Sequence, residues 1–326
     1  MDKLITSPSP HIFTRDTTTS IMLNVILALL PAAIASVVFF GARSIAVIAV
    51  CIIAAAASEA LFNLCCKKKQ SIGDLSAIVT GLLLALNLPS TIPLWQAAVG
   101  AVFSIVVVKC LFGGIGQNFA NPAITGRIFM LIAFSSTMTA SVFPQSADLT
   151  ASATPLAVLS GQEGTLPSLW ELFAGNCGGA LGETSALALL IGGAYLIIRG
   201  IISWHTPVVF IATVFVITLI SSGDISFAAA QILSGGLFIG AFFMATDYTT
   251  TPNSKWGRVV FGLGCGLITS LIRLYGSYPE GVSFSILLMN ILTPYIDKWT
   301  RSRPLGALKL KRMRSSEAKN RGGEAA

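Results

Sequence analysis

The chain has 326 residues, of which 54% are hydrophobic and only 11% are charged, and its mean hydropathy is +0.78. Soluble domains carry roughly 25% charged residues, so this composition excludes an ordinary soluble protein and indicates several membrane spans. The net charge of +7 does not indicate nucleic-acid binding. The basic residues gather at the edges of apolar segments, which is the positive-inside pattern and also attracts anionic lipid in the bilayer.

Residues 1–20 are polar, and no cleavable signal peptide is visible before the first apolar stretch. The hydrophobic pattern predicts an all-α polytopic membrane protein with about ten transmembrane helices, since each span needs about 20 apolar residues. The third candidate is short and ends at Asn87-Leu88-Pro89, which favours a broken or re-entrant helix. The candidate spans are 21–40, 44–64, 74–90, 94–112, 124–143, 178–198, 206–222, 226–244, 257–275 and 280–296.

Charge predicts the orientation. The C-terminal tail and the Lys67–Lys69 run are basic and therefore cytoplasmic, and an even number of spans places the N-terminal segment on the same side. The loop after the fifth span then faces outward, which agrees with the lack of any Lys or Arg between Arg127 and Arg199. The predicted divisions are a cytoplasmic segment (1–20), a first membrane half (21–143), an extracytoplasmic loop (144–177), a second membrane half (178–296) and a basic cytoplasmic tail (297–326).

Two pairs of segments resemble each other. Residues 121–129 resemble 251–259, and residues 74–77 resemble 183–186. The offsets differ between the two pairs, so no single register explains both. The sequence leaves open an internal repeat of the kind found in transporter-like folds.

The densest group of residues suited to ligand binding is segment 109–123, in the cytoplasmic connection between the fourth and fifth spans. Its glycines allow the backbone to approach a ligand closely, and the amides of Asn118 and Asn121 match the alternating donors and acceptors of a flavin edge. Arg127 begins the next helix and is suited to a phosphate or an anionic cofactor. The alternative is a tight inter-helix turn in which Gly supplies positive φ and Asn-Pro starts a helix.

Acidic residues in or beside spans are costly and usually functional. Glu59, Asp74, Glu183 and Asp247 are therefore candidates for a cation relay. Caps or interface charges are the alternative, and Asp74 in particular precedes a helix and suits an N-cap.

The sequence gives little support for a disulfide, metal, haem, hydrolase or nucleotide-binding site. The six cysteines include no CxxC pair and are interpreted as structural. His11 and His205 are too few and too far apart for a metal or haem site, so no metal is predicted. The chain has no nucleophile elbow, no P-loop and no dinucleotide fingerprint.

Five segments resemble the membrane subunits of the RnfD/NqrB family, and the resemblance runs from about residue 7 to 300. Segment 109–127 matches the pattern Phe-Gly-Gly-x-Gly-x-Asn-x-x-Asn-Pro-Ala-x-x-Gly-Arg of that family. The length without a long N-terminal extension favours the RnfD branch. The other matching segments are 8–22, 79–89, 93–96 and 245–247.

The resemblance implies a subunit of an inner-membrane complex that moves electrons between ferredoxin and NAD, coupled to Na⁺ or H⁺ transport. The partners implied are the other Rnf subunits, of the A, B, C, E and G types. An NqrB-like subunit of an NADH:quinone oxidoreductase is the related alternative. A cofactor-free secondary transporter or channel, and a passive scaffold for redox partners, are the alternatives from other classes.

The resemblance also implies two flavins. One is FMN, attached by a phosphoester to Thr154, with Asp148 and Ala153 in the same motif. The motif departs from the usual pattern at Ala151 and Ser152, and attachment is still expected. The second flavin, riboflavin in the Nqr relative, is held without a covalent bond, and Asp247 matches an acidic position implicated in ion passage. Asn118 and Asn121 match positions near this second flavin. Lys109, Gly116 and Arg127 are further candidates for cofactor binding that are not assigned to either flavin.

Overall fold

The computed structural model describes residues 16–139, 154–164, 166–276 and 280–301, and every regular element in these ranges is helical. The π-helical segments Ser104–Cys110 and Gly240–Met244 directly continue the helices that end at Phe103 and Ile239. The helices are α1 (Thr18–Phe40), α2 (Ala42–Cys65), α3 (Ser76–Leu86), α4 (Leu94–Phe103), α5 (Pro122–Ala133), α6 (Ser135–Met138), α7 (Pro155–Leu159), α8 (Leu169–Ala174), α9 (Ala186–Ile198), α10 (His205–Ser222), α11 (Ile225–Leu233), α12 (Leu237–Ile239), α13 (Lys255–Tyr275) and α14 (Val282–Thr300).

Four helices in the described ranges, α1, α2, α10 and α13, are long and apolar enough to cross a membrane. The pair α11 and α12, bent by 64° at its break, adds a fifth span if it crosses as one unit. The helices α3, α4 with its continuation, α5 and α9 are apolar but shorter. The predicted all-α polytopic fold is confirmed. Fewer elements than the predicted number reach full span length, because several predicted spans fold as short or broken helices.

The packing of the two halves follows the same plan. α2 packs against α3 and α4, and α4 against α5; correspondingly, α10 packs against α11 and α13, and α13 against α14. The halves meet where α1 contacts α9 and where α5 contacts α14. The order of packing within α1–α5 thus corresponds to the order of packing within α9–α14. Such a correspondence is found in the internal repeats of transporter-like folds. The similar sequence segments are not at equivalent positions, since 121–129 leads into α5 and 251–259 into α13.

The short helices lie at the centre and end inside the protein. All but one of the residues of α3 are buried, and its last turn is followed by Asn87, which is 1% exposed. α5 begins at Asn121, whose Oδ1 accepts hydrogen bonds from the backbone N–H groups of Ala123 (3.0 Å) and Ile124 (3.4 Å). Helix ends at this depth are tolerated only where protein or a cavity surrounds them. They border two cavities, one near each end of α5.

Candidate functional site

The first cavity, called here the Thr154 cavity, has a volume of about 310 Å³, near the lower limit for small-molecule sites. Its walls come from the end of α3, from α5 and α7, from the loop before α9 and from the α11–α12 break. Thr154 is the half-buried N-cap of α7, and its Oγ1 accepts a hydrogen bond from the backbone N–H of Ala157 at 3.3 Å. A hydroxyl N-cap followed by Pro155 explains why α7 begins here. Asp148 and Ala153 lie outside the described residues.

Arg127 lies in the Thr154 cavity and not beside Asn118 and Asn121, where the sequence placed it. It follows Asn121 by about 1.7 helical turns, so its side chain leaves α5 on a different face and about 9 Å further along the axis. Its Nη1 donates to Asn87 Oδ1 at 2.7 Å, and its Nη2 donates to Glu183 Oε1 at 2.5 Å and to Glu280 Oε2. The predicted grouping of Arg127 with the two asparagines is thereby corrected.

Two buried hydroxyls of the Thr154 cavity have no hydrogen-bond partner among the residues that the structure describes. They are Thr184 Oγ1 and Ser234 Oγ, and each residue is 2% exposed. Buried polar groups are normally hydrogen-bonded, so each exception calls for an explanation. The cavity therefore has unused capacity to bind a polar ligand.

Arg273, on α13, contacts the α11–α12 break, which forms part of the cavity wall. Its Nη1 and Nη2 donate to the carbonyl oxygens of Gln231 (2.5 Å) and Ser234 (3.2 Å), at the C-terminal end of α11. The positive side chain compensates the partial negative charge of that helix end. Arg273 thus holds the broken helix in place beside the cavity.

Sequence reasoning missed the roles of Asn87, Thr184, Ser234 and Glu280. Asn87 was noted only as the end of a short helix, although a buried amide at such an end suits a charged partner. Glu280 is an acid beside a predicted span, and the criterion that selected Glu183 could have selected it. Thr184 and Ser234 carry no signal in the sequence, because their hydroxyls matter only through the cavity that they line.

The second cavity, called here the Asn121 cavity, has a volume of about 440 Å³. Five residues assigned from the sequence line it together: Lys109, Gly116, Asn118, Asn121 and Asp247. The rest of the wall is largely apolar and includes Leu83, Phe242 and Phe243. Four of them come from the segment 109–123 that the sequence singled out for ligand binding, whereas Asp247, assigned to ion passage, comes from the chain after α12.

The amides of the Asn121 cavity already have protein partners. Asn118 Nδ2 donates to the carbonyl oxygen of Ala120 at 3.0 Å, and its Oδ1 accepts from Thr249 Oγ1 at 3.2 Å. Asn121 Nδ2 donates to the carbonyl oxygen of Met244 at 3.3 Å. Asp247 Oδ2 also accepts from Thr249, at 3.1 Å. These bonds join the start of α5 to the chain after α12 and fix the shape of the cavity.

Lys109 forms a buried ion pair at the edge of this cavity. Its Nζ donates to Glu59 Oε2 at 2.7 Å and to Ser76 Oγ at 2.6 Å. Ser76 Oγ and backbone N–H in turn donate to Asp74 Oδ1, at 2.7 Å and 3.3 Å, but the N-cap of α3 is Leu75 and not Asp74, where the sequence suggested it. The charge of Lys109 is therefore neutralised inside the protein and is not free to meet a cofactor phosphate.

A chain of contacts links the walls of the two cavities, although no described residue lines both. Asn87 Nδ2 contacts Met244 Sδ at 3.9 Å, and the carbonyl oxygen of Met244 accepts from Asn121. Asn87 also accepts from Arg127, so a continuous chain of contacts joins the cavities along α5.

Among the described residues, the cysteines and His205 form no metal site, and His11 lies outside the described residues. All six cysteines are free. In the part of the chain that the structure describes, no group of three His, Cys, Asp or Glu side chains is placed to hold a metal ion.

Comparison with known proteins identifies the family of the chain. The model of the NQR2, RnfD, RnfE family matches residues 5–306. The chain belongs to this family. One relative is the D subunit of the Na⁺-translocating ferredoxin:NAD⁺ oxidoreductase complex of Acetobacterium woodii, 47% identical over 95% of this chain and 97% of that protein.

Two further relatives carry similar names. The D subunit of the proton-translocating ferredoxin:NAD⁺ oxidoreductase complex of Clostridium ljungdahlii is 41% identical over 92% of this chain and 95% of that protein. The D subunit of the ion-translocating oxidoreductase complex of Halorhodospira halophila is 36% identical over 89% of this chain and 92% of that protein.

Proposed function

We propose that this chain is the D subunit of an ion-translocating ferredoxin:NAD⁺ oxidoreductase complex of the cell inner membrane, and that it passes electrons between two flavins. The assignment to the complex is carried by the 47% identity to the Acetobacterium woodii protein over nearly the full length of both chains. The proposed partners are the other subunits of such a complex, the lipid bilayer, and Na⁺ or H⁺ as the transported ion.

The Thr154 cavity suits an FMN bound through a phosphoester to Thr154. An ester oxygen keeps a lone pair, so the bond from the Ala157 N–H can persist after attachment. The unpartnered hydroxyls of Thr184 and Ser234 are the observation that best supports a polar ligand in this cavity. Once bound, the flavin would supply the electron-transfer chemistry. Thr154 would anchor the flavin, while Arg127 and Asn87 would form the polar side of the cavity that orients it.

The Asn121 cavity suits a flavin held without a covalent bond, proposed to be riboflavin. Its volume falls in the range of small-molecule sites, and its apolar walls would bury a flat ring. Asn118 and Asn121 would hold the backbone of the cavity in shape. The position of the two cavities near opposite ends of the short helix α5 supports electron transfer between them.

The charge pattern supports an outward-facing Thr154 and cytoplasmic termini. An electron that enters a low-dielectric cavity adds negative charge, which is unfavourable unless a proton or cation accompanies it. Asp74, Glu183 and Asp247 are the acidic residues proposed for this path. Coupling of this kind would link electron transfer to ion movement.

The covalent flavin is tested by ultraviolet fluorescence of the denatured protein in a gel, after co-expression with a flavin transferase. The wild-type band should fluoresce, and Thr154→Ala should abolish the signal. Thr139→Ala is the matched control, because Thr139 lines the same cavity but donates to the carbonyl oxygen of Ser135. A dark wild-type band, or a mass of the Thr154 peptide without FMN, would refute the attachment.

A cofactor-free secondary transporter is the second candidate, favoured by the two matching halves and the broken helices around central cavities. It requires both cavities to be free of flavin. Absence of both gel fluorescence and acid-extractable flavin from the purified complex would support it.

A further inference from the structure

The acidic residues of the Thr154 cavity converge on a single nitrogen atom. Glu183 Oε1 and Glu280 Oε2 both accept from Arg127 Nη2, while Nη1 of the same guanidinium bonds the neutral amide of Asn87. Two carboxylates therefore share one positive partner. Like charges brought to one site do not ionise independently, and one of the two takes up a proton most readily.

The other charged or titratable groups that face this pair do not supply a second direct partner. Arg273 on α13 donates to backbone carbonyl oxygens and to the Gln231 side chain, and the described contacts include no ion pair between it and either carboxylate. Cys177, in the loop before α9, is a further titratable group beside Glu183. The pair is thus balanced by Arg127 directly and by Arg273 only at longer range.

The surroundings of the pair suit proton exchange. Thr184 Oγ1 and Ser234 Oγ line the cavity with no hydrogen-bond partner in the described ranges, and a hydroxyl both donates and accepts. The backbone at the α11–α12 break also comes close, since a Cβ at Gly236 would lie 2.8 Å from Glu183 Oε1. Because glycine has no side chain, the backbone at Gly236 can lie against the Glu183 carboxylate.

We infer that Glu183 and Glu280 act as a paired proton acceptor that balances the charge of an electron entering the Thr154 cavity. The inference rests on the flavin proposed at Thr154. One electron arrives from reduced ferredoxin through the complex, and one proton from the aqueous phase binds between the two carboxylates. The summed charge of the cavity and the pair stays constant. When the electron leaves, the proton leaves with it, so Glu280 becomes a coupling residue that the sequence did not indicate.

The test uses the complex assembled with the wild-type chain, with Glu280→Gln or with Glu183→Gln. Each amide keeps the shape of the side chain and leaves one carboxylate for Arg127. Reduced-minus-oxidised infrared spectra should show the C=O stretch of a protonated carboxylic acid in the wild type, and both variants should lose it. The midpoint potential of the covalent flavin should depend on pH in the wild type, with about one proton less per electron in each variant.

Glu171→Gln is the control, since Glu171 lies on the surface of α8, outside the cavity. Hydrogen bonds from Ser168 hold the pKa of Glu171 below its usual range, so it stays ionised at neutral pH. This control should keep the infrared band and the wild-type pH dependence.

A fluorescent Thr154 band without the carboxylic acid signal would overturn the inference and leave the flavin in place. The same holds if both variants keep the wild-type pH dependence. A dark band would overturn the proposed function and this inference together. If a variant does not assemble, a redox titration of the wild-type complex, followed by its carboxylic acid infrared band, tests the inference instead. A band that is the same in the oxidised and reduced states contradicts redox-linked protonation.

Discussion

The Thr154 cavity and the Asn121 cavity border the same short helix but have opposite chemistry. The Thr154 cavity gathers a guanidinium, two carboxylates and two unpartnered hydroxyls. In the Asn121 cavity the amides have protein partners, Lys109 is neutralised by Glu59, and much of the wall is apolar. The first arrangement suits an anchored, charged group whose redox state changes the local charge. The second suits a flat molecule held by packing.

The largest expected effect comes from removing Arg127. Arg127→Met leaves two carboxylates in the Thr154 cavity without their direct positive partner, and loss of one partner of a buried ion pair costs roughly 3–5 kcal/mol. We expect a loss of that size in the unfolding free energy in detergent, and less covalent flavin. Arg199→Met is the control, since Arg199 ends α9 away from both cavities. Wild-type stability in Arg127→Met would show that the three charges do not depend on each other.

The ion pair of the Asn121 cavity gives the next largest effect. Lys109→Met or Glu59→Gln alone should destabilise the protein by roughly 3–5 kcal/mol, because each leaves a buried group without its partner. The double variant should cost less than the sum, and unfolding measurements on all four proteins give the coupling. Additive losses would contradict a direct interaction. Little change in acid-extractable flavin from a stably folded double variant would confirm that Lys109 does not bind the cofactor.

A smaller effect is expected at the α11–α12 break. Gly235 has φ +69, and a Cβ there would lie 3.1 Å from Leu156 Cδ2 and 3.3 Å from Arg273 Nη2. Gly235→Ala should lose roughly 1–2 kcal/mol through backbone strain, with an added loss from crowding. Gly223→Ala is the matched control, since Gly223 has the same φ of +69 and a Cβ there would meet no atom within 4 Å. Equal losses in the two variants would show that the break is not tightly packed against the Thr154 cavity.

The smallest expected change in stability comes from Asn121→Ala, which also tests whether the two cavities bind flavin independently. Asn121→Ala removes the N-cap of α5, worth about 1 kcal/mol, and the bond to Met244. Together with Asn118→Ala it should lower the acid-extractable flavin while the covalent fluorescence stays unchanged. Unchanged extractable flavin would refute the assignment of the second flavin to this cavity, and loss of the covalent signal would show that the cavities are not independent.

Much of the architecture was predictable from local patterns. Long apolar segments identified α1, α2, α10 and α13, because the length of a span and its lack of charge are properties of consecutive residues. Four residues that line the Asn121 cavity, Lys109, Gly116, Asn118 and Asn121, were noticed from the sequence because they are close along the chain. Asp247 joins them because the chain after α12 packs against the start of α5.

The Thr154 cavity was predicted less well. Arg127 was grouped with its neighbours in sequence, whereas helix geometry directs its side chain to another face. Its partners Asn87, Glu183 and Glu280 come from distant parts of the chain. A pattern of consecutive residues does not show which distant acids will meet one base.

The sequence by itself determined the membrane class, the apolar helices, the orientation expected from charge and the candidate Thr154. The tertiary structure alone decided which polar groups share a cavity and which remain without partners. The physical reason is that hydrophobicity acts on each segment separately, whereas ion pairs and hydrogen bonds form only between groups that folding brings within a few ångströms.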